Sequence, residues 1–94
     1  MNELYEMLNT IEKYLNKKLD PETFSYDFPD LVREGKFHGY DDTLLEAIGD
    51  VSEACGLYEP HPGIREDYSG WYYDEKELYD IVEKNYKIMT KYKD

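Results

Sequence analysis

A single cysteine, at position 55, leaves this chain without the means to form an internal disulfide. Cys55 also falls among regularly spaced apolar residues, which fits a reduced thiol packed as a small hydrophobe rather than a nucleophile. No apolar run approaches the roughly 20 residues that a membrane span requires. The N-terminal MNELYEMLN has no basic segment ahead of an apolar one, so neither a span nor a secretory signal is expected, and the cytoplasm is the expected compartment. Positive charge is scarce: 11 basic residues stand against 22 acidic ones, for a net charge of −11. A surface of that sign repels nucleic acid and anionic lipid and favours basic partners.

The motifs of metal, phosphate and nucleophile chemistry are absent as well. There is no Cys-x-x-Cys, no His-Glu-x-x-His, no EF-hand loop and no glycine-rich phosphate loop. His38 and His61 fall in expected loops and read as surface residues rather than zinc ligands. No serine, histidine and acid stand together. A domain of this size also has little room for a pocket that would tune a carboxylate for acid–base work. No metal, no cofactor and no enzymatic activity are expected.

What is present is apolar, aromatic and acidic. A hydrophobic share of 40% with 16% aromatic residues is too rich for a disordered acidic tail. Residues 1–94 suffice for one domain with a modest core. Eleven tyrosines serve either that core or an interface, where stiff aromatic contacts carry binding energy.

The periodicity is helical throughout. A first helix is predicted from an Asn2 cap to about Lys18, with a stripe of Leu4, Leu8, Ile11 and Leu15 and with Met7 and Tyr14 on its flank. Lys13, Lys17 and Lys18 would suit the negative end of its dipole. Asp20 and Pro21 then read as the cap and first residue of a second helix that buries Phe24, Phe28 and Leu31 and stops at Gly35. Pro29 lies inside this pattern and should kink or split the helix near Phe28. Asp41 or Asp42 caps the third helix, which ends at Gly56. Gly49, in its middle, either admits a neighbouring helix or has no special role. Residues 57–73 are the longest irregular stretch, with Tyr58, Tyr68, Trp71, Tyr72 and Tyr73. Trp71 is expected to be at least half buried over the end of the core, with one or two tyrosines free. Asp74 and Glu77 form a capping-box start for the last helix, whose apolar face is Leu78, Val82 and Met89. Ile81, Ile88 and Tyr92 edge that face, and Asn85 within it marks either a register-fixing contact or the rim of the core. No strand alternation or hairpin turn competes. The expected fold is all-α, a small antiparallel four-helix bundle.

Charge is unevenly placed. Residues 20–80 hold 17 acidic and 4 basic residues, whereas residues 81–94 carry a net +2. On the third helix Asp42, Glu46, Asp50 and Glu53 recur at the spacing of one face, within about 80° of each other at ~100° per residue. Leu44, Ile48, Val51 and Cys55 occupy the other face. The plain reading of the acidic row is a solvated surface. The sharper one is a line of charge that a basic, phosphate-binding cleft would attract. Tyr58, Trp71, Tyr72 and Tyr73 would then anchor the contact.

These features together resemble the colicin D-type immunity proteins, a family that includes partners of bacteriocin and contact-dependent inhibition toxins. The resemblance is carried by the basic turn Lys17-Lys18, the entry Asp20 to Phe24, the acidic Asp41 to Glu53, the exit Tyr58-Glu59-Pro60, and Asp74 to Leu78. Pro29 and the length of the 57–73 stretch depart from the pattern. The resemblance implies a small four-helix inhibitor that binds the basic catalytic domain of a cognate nuclease toxin, a tRNase, with acids in place of RNA phosphates. It makes Asp42, Glu46, Asp50, Glu53 and Glu59 the toxin-binding candidates, with Tyr58, Trp71 and Tyr72 beside them. A monomer is expected, without direct contact to nucleic acid or membrane. The alternative, from another class, is an acidic helical adaptor or nucleic-acid mimic that regulates a basic host protein.

Overall fold

The computed structural model describes residues 2–67 and 70–93, the side chain of Asn2 excepted. The cap expected at Asn2 and the place of Tyr68 therefore lie outside the described residues. Among the described residues five α-helices follow one another: α1 (Asn2–Leu15), α2 (Pro21–Glu34), α3 (Asp42–Leu57), α4 (Pro62–Asp67) and α5 (Glu75–Met89). A 3₁₀ turn over Thr90–Tyr92 closes the chain's last helix. The all-α expectation holds, but the count of four does not, because the stretch read as irregular contains α4. The longest helices touch in a ring, α1 to α2, α2 to α3, α3 to α5 and α5 back to α1. Among the described residues no helix is long and apolar enough to cross a membrane.

α2, α3 and α5 each begin where a carboxylate meets a backbone amide. Asp20 accepts from the Thr23 amide at 2.7 Å, Asp41 from Leu44 at 2.9 Å and Asp74 from Glu77 at 2.8 Å. Glu77 returns a bond to the Asp74 amide, which completes the expected capping box. Caps of this kind at Asp41 and Asp74 are each worth about 1 kcal/mol.

Where the helices stop departs in detail from the expectation. α1 ends at Leu15, not Lys18, because Lys17 takes a left-handed conformation at φ 63. The Lys18 amide then reaches the Lys13 carbonyl at 2.8 Å and the Lys17 amide reaches Tyr14 at 3.1 Å. That pair of bonds is the Schellman arrangement, which satisfies carbonyls the helix end would otherwise leave open. α2 stays one helix across Pro29 instead of dividing there. Proline forfeits its own bond to the fourth residue back and crowds the carbonyl there, a cost confined to one turn. Buried Phe24 and Phe28 before it, and partly buried Leu31 and Val32 after it, pack the whole helix on the core. α3 runs one residue past Gly56 and is capped at Tyr58. Gly49 is exposed, and a methyl group added there would meet nothing within 4 Å, so no helix approaches it.

The core gathers the faces that the spacing marks out. Leu4, Leu8 and Ile11 of α1, Leu44, Ile48, Val51 and Cys55 of α3, and Leu78, Val82 and Met89 of α5 are all buried. Met7 and Tyr14 are buried too, whereas Leu15 is only partly so, which rotates the α1 stripe toward its expected flank. Fully burying a side chain such as Phe24 or Phe28 contributes roughly 1.5–3 kcal/mol. Phe24 stacks on Tyr14 at 4.4 Å between ring centroids and lies 5.6 Å from Phe28. Buried Asn85 donates to the Ile81 carbonyl of its own helix at 2.9 Å, a local bond rather than a cross-helix one. The Tyr86 hydroxyl donates to Glu12 at 2.8 Å and so ties α5 to α1.

Candidate functional site: an acidic helix face and its neighbours

The α3 caps and core residues fix which way its acids point. With Leu44, Ala47, Ile48, Val51, Ala54 and Cys55 buried on one side, Asp42, Glu46, Asp50 and Glu53 are all exposed on the other. The helix carries no basic residue. Among the described residues the ion pairs are Arg33 with Asp30, His61 with Glu59 at 2.8 Å and Lys76 with Asp80 at 2.9 Å. None involves an α3 acid. Lys84 of α5 lines a groove of about 200 Å³ with Asp50 and Glu53 yet pairs with neither. Like charges one turn apart, as at Asp42, Glu46 and Asp50, oppose the helix that bears them.

The other expected site residues scatter around this face. Glu59 is mostly buried, its side chain 20% exposed. It accepts from the His61 amide at 3.2 Å and meets the His61 ring at 2.8 Å. The side-chain and backbone bonds from His61 hold the Glu59 carboxyl below its ordinary range. Tyr58 is partly buried and pairs with Tyr73 in a parallel β-bridge. The Tyr73 amide donates to the Leu57 carbonyl at 2.8 Å and the Glu59 amide to the Tyr73 carbonyl at 3.0 Å. Arg65 of α4 donates to the Glu59 carbonyl. The stretch after α3 is thus pinned at its base and braced from within. Tyr58 and Glu59 line a groove with Tyr26 and Ile64, whereas Asp50 and Glu53 line theirs with Tyr73 and Ile81. The structure therefore keeps the four α3 acids together and sets Tyr58 and Glu59 in a separate groove.

Trp71 corrects the expectation of half burial, being 73% exposed. It follows Gly70, whose φ of +86 turns the chain, and Tyr58 and Tyr73 pack against the core in its stead. Tyr72 sits at 36% exposure. Two exposed aromatics escaped the sequence reading, Tyr5 of α1 at 39% and Tyr26 of α2. Tyr26, 68% exposed, lies between Phe24 and Phe28 on α2. Two residues from each it must face away from both, which the ~100° helical step makes legible.

Among the described residues no group of three or more His, Cys, Asp or Glu side chains is placed to hold a metal ion. Burial pushes the Cys55 thiol up to about 12, which keeps it protonated and unreactive. No protein-family model, curated protein or solved structure matches the chain.

Proposed function

We propose that this chain is an immunity protein that neutralises a cognate nuclease toxin, a tRNase on the resemblance above, by covering its basic active site. The observation that carries the reading is the α3 face. Asp42, Glu46, Asp50 and Glu53 stand exposed in one row, and among the described residues no lysine or arginine pairs with them. Uncompensated charge costs stability and speeds encounter with a partner of opposite sign. A cleft built to grip phosphates is such a partner. Trp71, exposed at the surface, is the aromatic read as an anchor for the contact. The four longest helices are read as an antiparallel bundle with α4 inserted between α3 and α5. The inhibitor is read as a monomer that acts in the cytoplasm.

The test is an RNA-cleavage assay. A tRNA-cleaving toxin domain, sought as the basic C-terminal domain of a secreted protein encoded beside this gene, is mixed with the chain at equal concentration. Cleavage of tRNA should stop, and inhibition should set in more slowly as salt is raised. Undiminished cleavage would reject this reading. An acidic adaptor that regulates a basic host protein would leave the nuclease active and would co-purify with that host protein instead.

A further inference from the structure

α3 packs against α5, and the seam between them opens into the groove of about 200 Å³ beside the acidic row. Exposed Asp50 and Glu53 line it from α3, and exposed Lys84 from α5. Buried Ala54 and Asn85 line it at depth, with Ile81 and Tyr73, both partly buried, as apolar walls. Asn85 is the buried polar residue of the core, 4% exposed and on the same face of α5 as Leu78, Val82 and Met89. A leucine there would complete that apolar face, and burying an amide in its place costs free energy unless its polar atoms are used. Nδ2 is used, donating to the Ile81 carbonyl at 2.9 Å. Among the described residues no hydrogen bond reaches Oδ1. Nor is that oxygen sealed, because the side-chain polar atoms that are both fully covered and without a partner are the Tyr14 and Tyr40 hydroxyls. The Asn85 oxygen therefore keeps a little surface, and the opening that Asn85 lines is this groove. An almost buried acceptor left open to a groove points to a donor that completes it. Lys84 pairs with neither Asp50 nor Glu53, so both carboxylates stand open to a cation from outside.

We propose that this groove receives a lysine side chain of the basic protein partner, its ammonium on the Asn85 oxygen between Asp50 and Glu53. The inference rests on the reading that the partner is basic and meets the α3 face. An ammonium has three N–H donors, and the groove supplies three kinds of acceptor for them, one amide oxygen and two carboxylates. The stem would lie along Ile81 and Tyr73, as lysine stems do on apolar surface. The flat fork of arginine suits a pair of acceptors side by side, and the single oxygen at depth offers no such pair. Charge along α3 draws a basic partner from a distance, but the Asn85 oxygen is met only by a side chain that enters the seam. That contact would fix where along α3 the partner comes to rest.

The experiment is an NMR titration of the isotopically labelled full chain at neutral pH with N-acetyllysine amide. The same compound acetylated on its ε-nitrogen, which removes the charge, and N-acetylarginine amide serve as comparisons. The lysine compound should give saturable shifts at the Asn85 side-chain amide, Ala54 and Ile81. The ε-acetylated compound should bind at least tenfold more weakly, and the arginine compound at least twofold more weakly. Asn85→Leu should weaken lysine binding at least threefold while raising the denaturant midpoint, a combination that a purely structural role for Asn85 would not give. Glu53→Gln should weaken binding at least threefold, and Lys84→Gln, which removes a like charge, should strengthen it about twofold. Glu53 and Lys84 are exposed, so their variants serve should Asn85→Leu fail to fold. No saturable shift with lysine, equal binding of the ε-acetylated compound, arginine binding as tightly as lysine, or shifts at the α3 acids with Asn85 unmoved would each overturn the proposal. So would a folded Asn85→Leu that binds as before. The titration needs no nuclease, so its failure leaves the cleavage assay standing, and failure of the assay does not alter the titration.

Discussion

Tyr58 and Tyr73 pair as a parallel β-bridge, the one bridge in an otherwise helical set of described residues. Its two backbone bonds, at 2.8 and 3.0 Å, close the excursion that carries α4 and Trp71. A surface loop fastened in this way should open less readily at its base than at its tip. In native-state hydrogen exchange the Glu59 and Tyr73 amides should be slower than the Gly70 amide by about tenfold or more. Equal rates would mean the bridge does not persist.

Trp71 is the chain's only tryptophan, which makes it a reporter of its own exposure. At 73% exposed, its fluorescence should resemble that of tryptophan in water and be quenched readily by iodide or acrylamide. Contact with the partner should shift the emission to the blue and shield it from quencher. A blue-shifted, protected signal in the free protein would contradict the placement of Trp71.

Two backbone positions should improve on substitution. Gly49 is exposed within α3 and an added methyl group would meet nothing. Gly49→Ala should therefore stabilise by up to about 1 kcal/mol, the helix-propensity difference. Lys17 sits at φ 63, a conformation that glycine adopts without strain. Lys17→Gly should stabilise by about 0.5–1 kcal/mol. Denaturant midpoints check both, and a loss of stability in either would reject the local geometry.

Most of the fold was legible because helices repeat themselves. Leu44, Ile48, Val51 and Cys55 could be assigned to one buried face from spacing alone, and Asp20, Asp74 and Glu77 to caps from residue type. Lys17 was not legible as a stop signal, since a lysine in the left-handed region gives no compositional cue of the kind a glycine would. The six-residue α4 is too short to show a period, so Pro62 and Gly63 read as loop. Trp71 was misread because a large apolar residue is buried by default, and only the path of the chain around Gly70 decides otherwise. For the site, the α3 row was visible as a pattern. That Glu59 is drawn onto His61 depends on a turn the spacing does not encode.

Alkaline pH should unfold this protein early. Burial raises the Cys55 thiol from its ordinary 9.0 to about 12, and burial with Glu75 raises the Tyr14 phenol above its ordinary 10.0. Both groups stay protonated in the folded chain where the unfolded chain has begun to release its protons. Their contribution is complete below the unfolded values and is lost as pH rises through the folded ones. Stability should thus decline from about pH 9 upward, and decline less steeply in Tyr14→Phe. Chemical denaturation at about pH 8 and about pH 10.5 measures this, and an equal decline in the variant would deny Tyr14 its share.

The α3 acids are proposed to make the contact with the nuclease. The most direct measurement is the affinity of the toxin's catalytic domain for the chain carrying Glu46→Lys, Asp50→Lys and Glu53→Lys together, beside the unaltered chain. All three positions are exposed, so the variant should keep its helical circular dichroism and a cooperative melt. Its affinity should fall by about 100-fold or more, mostly through slower association at low salt. A folded variant that binds and protects as well as the original would show that this face is not the site.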